Sequence, residues 1–223
     1  MSLPPDNVSD VANGGIDATA THDVRTELAQ LAQEIEACRA CALGDIRTRS
    51  VPGVGNPNAD LMFVGEAPGF HEDQQGEPFV GAAGQLLTKL IEQKLELQRS
   101  DVFIANVLRC RPPGNRDPLP AEVESCKPFL GRQLKLIKPK VVVALGNFAA
   151  KLLTGSSLGI TRLREREFRL RDGTPLMCTF HPAAALRGGN AAAGIGEDFE
   201  KIKVALEAAG DDPETPAEQL GLF

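Results

Sequence analysis

"LMFVGEAPGFHEDQQGEPFVGAAGQLL" (residues 61–87) passes from an apolar run, through glycine, proline and acid, to a second apolar run. Leu61 to Val64 has the composition of a strand buried on both faces. From Gly84 to Leu97, the residues Leu86, Leu87, Leu90, Ile91 and Leu95 fall on one face of a predicted helix. Between them lie about twenty residues dominated by Gly, Pro, Glu and Asp, with one aromatic, Phe79, that reads as exposed. Strand-to-helix loops in α/β units usually take ~2–6 residues, so a connection of this length needs a reason.

The alternation continues on both sides of this stretch. Upstream, Thr26 to Ala37 places Leu28, Leu31 and Ile35 at helical spacing and runs into Cys38-Arg-Ala-Cys41. Downstream come a strand from Val102 to Leu108, a helix from Ala121 to Ile137 opened by Pro118 and Pro120, and a strand from Lys140 to Leu145. A helix from Asn147 to Leu153 follows, with Asn147 as its expected N-cap. Then come a hairpin (Glu165 to Leu170, Leu176 to Phe180) turned at Asp172-Gly173, the dipeptide His181-Pro182, a short helix, and a last helix from about Glu197 to Ala208. Strands separated by helices predict an α/β fold: a three-layer αβα sandwich with a central, mainly parallel four-stranded sheet. Ligands of such sheets sit outside the carboxyl ends of the strands. GEAPG after the first strand, Asn106 at the end of the second, and His181 after the last are therefore expected to share one pocket.

The chain of 223 residues is long enough for one substantial domain and its tails. The expected division is an acidic, disordered tail over 1–24, a domain over 25–209, and a flexible tail over 210–223. No apolar run approaches the ~20 residues that span a bilayer, and the first residues lack a basic and then apolar leader. A cytoplasmic protein is the expectation. The formal charge of −6 is concentrated in the tails: without 1–24 and 207–223, 24 basic residues face 21 acidic ones. Arg162, Arg164, Arg166, Arg169 and Arg171 lie within ten residues. They suit either a phosphate-facing patch or a solvated strand face interleaved with Glu165 and Glu167.

Five cysteines without a secretory leader argue against disulfides. Cys38 and Cys41 form a CxxC, with Cys110 and Cys126 far downstream. A redox pair would normally open a helix after a strand, whereas this one closes a helix. Four thiolates can bind zinc or a [4Fe–4S] cluster, and the long excursion between Cys110 and Cys126 suits a cluster better. Cys178, inside the apolar run PLMCTF, reads as a core residue.

Four segments, "VPGVGNPNADLMFVGEAPG", "GEPFVGAAGQLL", "NVLRCRPPGNRDP" and "TFHPAAALR", together with the four cysteines, resemble the successive motifs of the family 4 uracil-DNA glycosylases, the iron–sulfur members of their superfamily. The resemblance runs from about Cys38 to Leu206. It implies a monofunctional enzyme of base excision repair that flips uracil from single- or double-stranded DNA and hydrolyses its N-glycosidic bond. It implies a [4Fe–4S] cluster on Cys38, Cys41, Cys110 and Cys126. It places Glu66, Ala67, Pro68, Phe79, Asn106 and His181 around uracil: Phe79 stacking on the ring, Asn106 reading O4 and N3–H, His181 donating to O2. Arg187 is expected at a DNA phosphate. Ala67 stands where other branches carry an aspartate, so the water-activating carboxylate falls to Glu66 or Glu72. His71 stands where the family places an acid. A related subgroup forms a covalent adduct through a histidine in an Arg-rich insert, and PPGNRDP has neither. Rival readings are a glycosylase of wider deaminated-base range and a non-catalytic damage-binding protein. The terminal Gln219-Leu-Gly-Leu-Phe223, tethered by DDPETPAE, resembles a peptide that docks on the bacterial sliding clamp.

Overall fold

The structure, a computed structural model, describes residues 23–209. The clamp-type peptide and the expected tails lie outside the described residues, except that Asp23 and Val24, expected in the first tail, cap and open a helix over Val24–Ala37. A six-stranded sheet has the order β1-β3-β2-β4-β6-β5. Its strands are β1 (Val54–Gly55), β2 (Leu61–Gly65), β3 (Phe103–Asn106), β4 (Val141–Leu145), β5 (Phe168–Arg169) and β6 (Pro175–Thr179). The four central strands are parallel, and the two-residue β1 and β5 pair antiparallel at the edges. The expected four-stranded sheet is thus extended by one short strand on each side. The predicted hairpin forms as β5 and β6, with a shorter first strand than the pattern suggested.

Side-chain alternation divides the core into two layers. Met62, Val64, Ala105, Val142, Ala144 and Cys178 face one side, and Leu61, Phe63, Ile104, Val141, Val143 and Leu145 the other. The first side is covered by α1 (Val24–Ala37), α5 (Pro120–Ile137), α6 (Asn147–Thr154) and α7 (Ile160–Leu163), the short α2 (Leu43–Ile46) packing beside them. The second is covered by α4 (Ala82–Lys94) and α9 (Asn190–Ala208), with α8 (Pro182–Ala185) at its edge. Cys178 is buried as expected, and burial pushes its thiol up to about 12. Among the described residues, no helix is long and apolar enough to cross a membrane.

Chain order fixes where a ligand can enter. From β2 the chain crosses to β3 on one side, over α4, and then returns past β2 to β4, over α5. Right-handed crossovers in opposite directions put α4 and α5 on opposite faces. Their loops diverge at the carboxyl end of β2, which is the switch point where open α/β sheets bind ligands. GEAPG occupies that point.

The long connection after β2 contains a helix, α3 (Phe70–Gln75), closed by Gly76 at φ 78°. The loop proper is only Glu66 to Gly69, an ordinary length. Asn147 is not the N-cap of α6. Gly146 takes that place, and the Asn147 side chain accepts a hydrogen bond from the Ile160 amide at 3.1 Å instead.

Within the arginine-rich run, Arg164 turns inward and Arg169 donates to the Gly173 carbonyl at 2.9 Å. Arg164 bonds both carboxylate oxygens of Asp198 at 3.0 and 2.9 Å, and the Thr179 hydroxyl donates to the same carboxylate at 2.6 Å. This network ties α7 and α9 to the end of β6, two residues before His181. Asp198→Ala strips a buried cation of its main partner and is expected to lower stability by about 3 kcal/mol, read from the urea midpoint.

Candidate active site

Gly65, the last residue of β2, lies beside Asn106, the last of β3, in parallel register. Both point to the face that carries Phe63 and Ile104. A Cβ at Gly65 would lie 2.4 Å from Asn106 Oδ1 and 2.6 Å from the Phe79 ring. The absent side chain is the room in which these two groups meet. Phe79 is 7% exposed, contrary to the expectation of an exposed aromatic. After α3 the chain folds back over β2 and tucks the ring into the space Gly65 leaves. Phe79 holds φ 53°, a left-handed conformation that costs a bulky residue about 1–3 kcal/mol. The Phe79 ring stacks at 5.6 Å and 29° on His181. Gly146, at φ 91° after β4, clears space for His181, whose Cβ would lie 2.8 Å from a Cβ there. The ends of β2, β3, β4 and β6 thus lie together: Gly65 of GEAPG beside Asn106, and His181 against Phe79, a ring brought there by the chain after α3.

Asn106 is 2% exposed, and its Oδ1 has no hydrogen-bond partner among the described residues. A buried acceptor without a donor costs about 1–3 kcal/mol, so this oxygen is set for a ligand N–H. His181 Nδ1 accepts from the Ala183 amide at 3.1 Å, which leaves the ring proton on Nε2. Burial first, and then the Arg187 charge, pull the imidazole down to about 4, against the opposing pull of Glu72. The ring is therefore a neutral N–H donor at pH 7.

The two candidate carboxylates differ in their partners. Glu72 accepts from the amides of Gly69 (3.1 Å), Val80 (2.9 Å) and Gly81 (3.1 Å), so both its oxygens hold the loop that carries Phe79. Glu66 is half-buried, and although its backbone carbonyl accepts from the Leu108 amide, its carboxylate has no hydrogen-bond partner among the described residues. Burial, and then the charge of Asp117, push its carboxyl up. Ala67 is half-buried and Pro68 buried at the same turn, and Arg187 is exposed. Phe70, beside them, stands 52% exposed with the Arg111 guanidinium 5.2 Å from its ring centre.

Cys38, Cys41, Cys110 and Cys126 line one pocket where the end of α1, the turn before α2, the segment after β3 and α5 meet. No three His, Cys, Asp or Glu side chains among the described residues are placed to hold a single metal ion. The thiols surround the pocket without closing on one point. Burial pushes the Cys110 thiol up and the Cys126 thiol up to about 11. Two cations face them. Arg47 Nη1 donates to Cys110 Sγ at 3.0 Å, and Arg109 lines the same pocket with a buried Nε that has no partner among the described residues. An orphaned N–H and two guanidiniums fit a larger anionic group held by thiolates, whose sulfurs would accept from them. Neither arginine was singled out from the sequence. The only signal for Arg109 is a cation directly between an apolar strand and a ligand-type cysteine.

The profile of the "Uracil DNA glycosylase superfamily" matches residues 52–207. The chain is 45% identical over 184 residues to a type-4 uracil-DNA glycosylase of Sulfurisphaera tokodaii, covering 79% of this chain and 83% of that protein. It is 44% identical over 182 residues to that of Archaeoglobus fulgidus (78% and 91% covered) and 40% identical over 190 residues to that of Thermotoga maritima (83% and 98%). The chain belongs to the uracil-DNA glycosylase superfamily, in its type-4 branch. The matched region includes every residue of the strand-end site described above, from Gly65 to Arg187. Of the four cysteines, Cys110 and Cys126 fall within the superfamily match, while Cys38 and Cys41 precede it.

Proposed function

We propose that the chain is a monofunctional uracil-DNA glycosylase that takes uracil out of single- or double-stranded DNA and hydrolyses its N-glycosidic bond, leaving an abasic site. The observation that carries this reading is the buried, unpartnered Asn106 Oδ1 beside the Phe79 ring and the neutral His181. Breaking the C1′–N1 bond places negative charge on the uracil ring and positive charge on the sugar. Phe79 offers its ring to a flipped base. Asn106 Oδ1 accepts from uracil N3–H, while its amide N–H groups serve O4. Cytosine presents a lone pair at N3 and an amine at C4, so the same fixed amide opposes it at both atoms. His181 donates Nε2–H to O2 as charge builds there, at no cost of protonation. With Glu72 engaged by three amides, Glu66 is the carboxylate left to orient water and to face the cationic sugar. Arg187 meets a phosphate, and Leu186, 53% exposed at the end of α8, presses against the duplex beside the lesion.

In the same reading the four cysteines hold a [4Fe–4S] cluster. The long excursion from Cys110 to Cys126, and the two guanidiniums that face the thiols, favour a cluster over zinc. When bound, the cluster supplies a cross-link between α1 and the Cys110–Cys126 segment, not a step of the chemistry. Oxidising or chelating it is expected to lower the melting temperature before it lowers turnover. The protein acts as a monomer, and Gln219–Phe223 docks on the sliding clamp. A chain ending at Glu218 should lose clamp affinity and keep uracil release.

The direct test is release of free uracil from single- and double-stranded oligonucleotides, with strand cleavage only after alkali. Absence of release from both overturns the proposal.

A further inference from the structure

Arg109 is the largest fully buried side chain in the described protein, at 1% exposure. Its guanidinium points three ways. Nη1 donates to the Asn106 carbonyl at 2.6 Å, and Nη2 donates to Gln133 Oε1 at 2.6 Å. Nε, without a partner among the described residues, belongs to the side chain that lines the four-cysteine pocket. Gln133 is itself fixed, donating from Nε2 to the Pro52 carbonyl at 2.6 Å. The Asn106 carbonyl needs such a donor. β1 pairs with β3 only at Phe103 and Ile104, so Asn106 lies past the paired register of that edge.

We infer that Arg109 is a positioning residue that couples the four-cysteine site to the uracil-reading amide of Asn106. This rests on the roles proposed above for the cysteines and for Asn106. The physical ground is charge balance. No carboxylate pairs with Arg109 among the described residues. Across the pocket it faces Cys110 and Cys126, whose sulfurs carry negative charge when they act as thiolate ligands. A buried guanidinium is tolerated beside thiolates or the cluster they hold, and is disfavoured once that negative charge is gone. Its escape towards water would remove the Nη1 bond and free the backbone of Asn106. The end of β3 is otherwise held on the β2 side by Val107 N–H on the Gly65 carbonyl (2.8 Å) and Leu108 N–H on that of Glu66 (3.0 Å), and on its other side the next backbone bond comes only at Arg109, whose carbonyl accepts from Val51 N–H at 2.8 Å. Filling of the cysteine site is thereby transmitted to base recognition through one side chain, in the manner of an outer-shell group that orients a ligand.

The test uses full-length, cluster-loaded protein. Arg109→Lys keeps a cation but cannot donate in three fixed directions. Gln133→Met leaves Arg109 intact and removes its anchor on α5. Each is measured for iron content, cluster midpoint potential, inhibition by free uracil, and hydrogen exchange at the Val107 and Leu108 amides. The expected result is wild-type iron content in Gln133→Met with inhibition weakened about tenfold and faster exchange at both amides. Arg109→Lys is expected to show the same losses, together with a more negative potential. Unchanged inhibition and exchange in Gln133→Met overturn the coupling, and so does an unchanged potential in Arg109→Lys that retains iron. Wild-type protein that holds no iron, or an Asn106→Ala variant inhibited by uracil as well as wild type, would instead refute the underlying reading.

Discussion

His181→Ala is expected to lower kcat for uracil excision by about 10²–10³, the usual consequence of losing one preorganised donor to a developing anion. KM should change little, because the bond strengthens as charge moves onto O2 and contributes less to the ground state. His181→Gln, which retains an N–H donor, should recover part of the loss. The same side chain caps α8 through Nδ1, and loss of a cap lowers stability by only about 1 kcal/mol. A thermal melt therefore separates the chemical role from the structural one. The protonation state gives a second reading. In the folded protein His181 should titrate near 4 instead of its ordinary 6.5, visible in the proton resonances of its ring. Its contribution to stability is complete above pH 6.5 and declines as the pH falls towards 4, because the unfolded chain takes up a proton that the folded ring refuses. A His181→Ala variant within a fewfold of wild-type kcat, or a ring that titrates near 6.5, would refute the neutral-donor role.

The sheet was legible because strands buried on both faces must be continuously apolar, as in LMFVG and VVVAL. The meeting of GEAPG, Asn106 and His181 was legible for a topological reason: parallel strands deliver their carboxyl ends to one edge. Features set by contacts distant in sequence were not legible. The two-residue β1 is too short to carry a period, and the expected strand over Glu165 to Leu170 forms only as the two-residue β5. FHEDQQ folds as α3 with Asp73 buried and accepting from the Thr48 amide at 3.0 Å, although its composition is that of a loop. Phe79 is buried because Gly65, fourteen residues earlier, leaves it a place. The choice between Glu66 and Glu72 depends on which carboxylate meets the backbone of Val80 and Gly81, and spacing alone does not contain that. Arg164 belonged to a charge run that suited a surface, yet it serves as the buried partner of Asp198.

Asn106→Ala separates recognition from chemistry most sharply. Its Oδ1 is a buried acceptor without a donor among the described residues, a cost the fold bears unless a ligand supplies an N–H. The substitution removes that cost together with the reader, so the variant should be as stable as wild type or slightly more so. Its kcat/KM for uracil should fall about 10²-fold, since the leaving ring loses contacts at N3 and O4. The larger effect is on selectivity. A site built around fixed hydrogen bonds rejects mismatched analogues by ~10⁴–10⁵, and most of that margin of uracil over cytosine should disappear. Asn106→Asp gives the complementary result: a carboxylate in this dry position has no N–H for O4, and when protonated it can donate to cytosine N3. Its residual preference should shift towards cytosine as the pH is lowered. Paired uracil- and cytosine-containing oligonucleotides, compared by kcat/KM with each variant, decide the matter. Retained discrimination in Asn106→Ala would mean that the pyrimidine is read by some other group, and the assignment of this amide would fall with it.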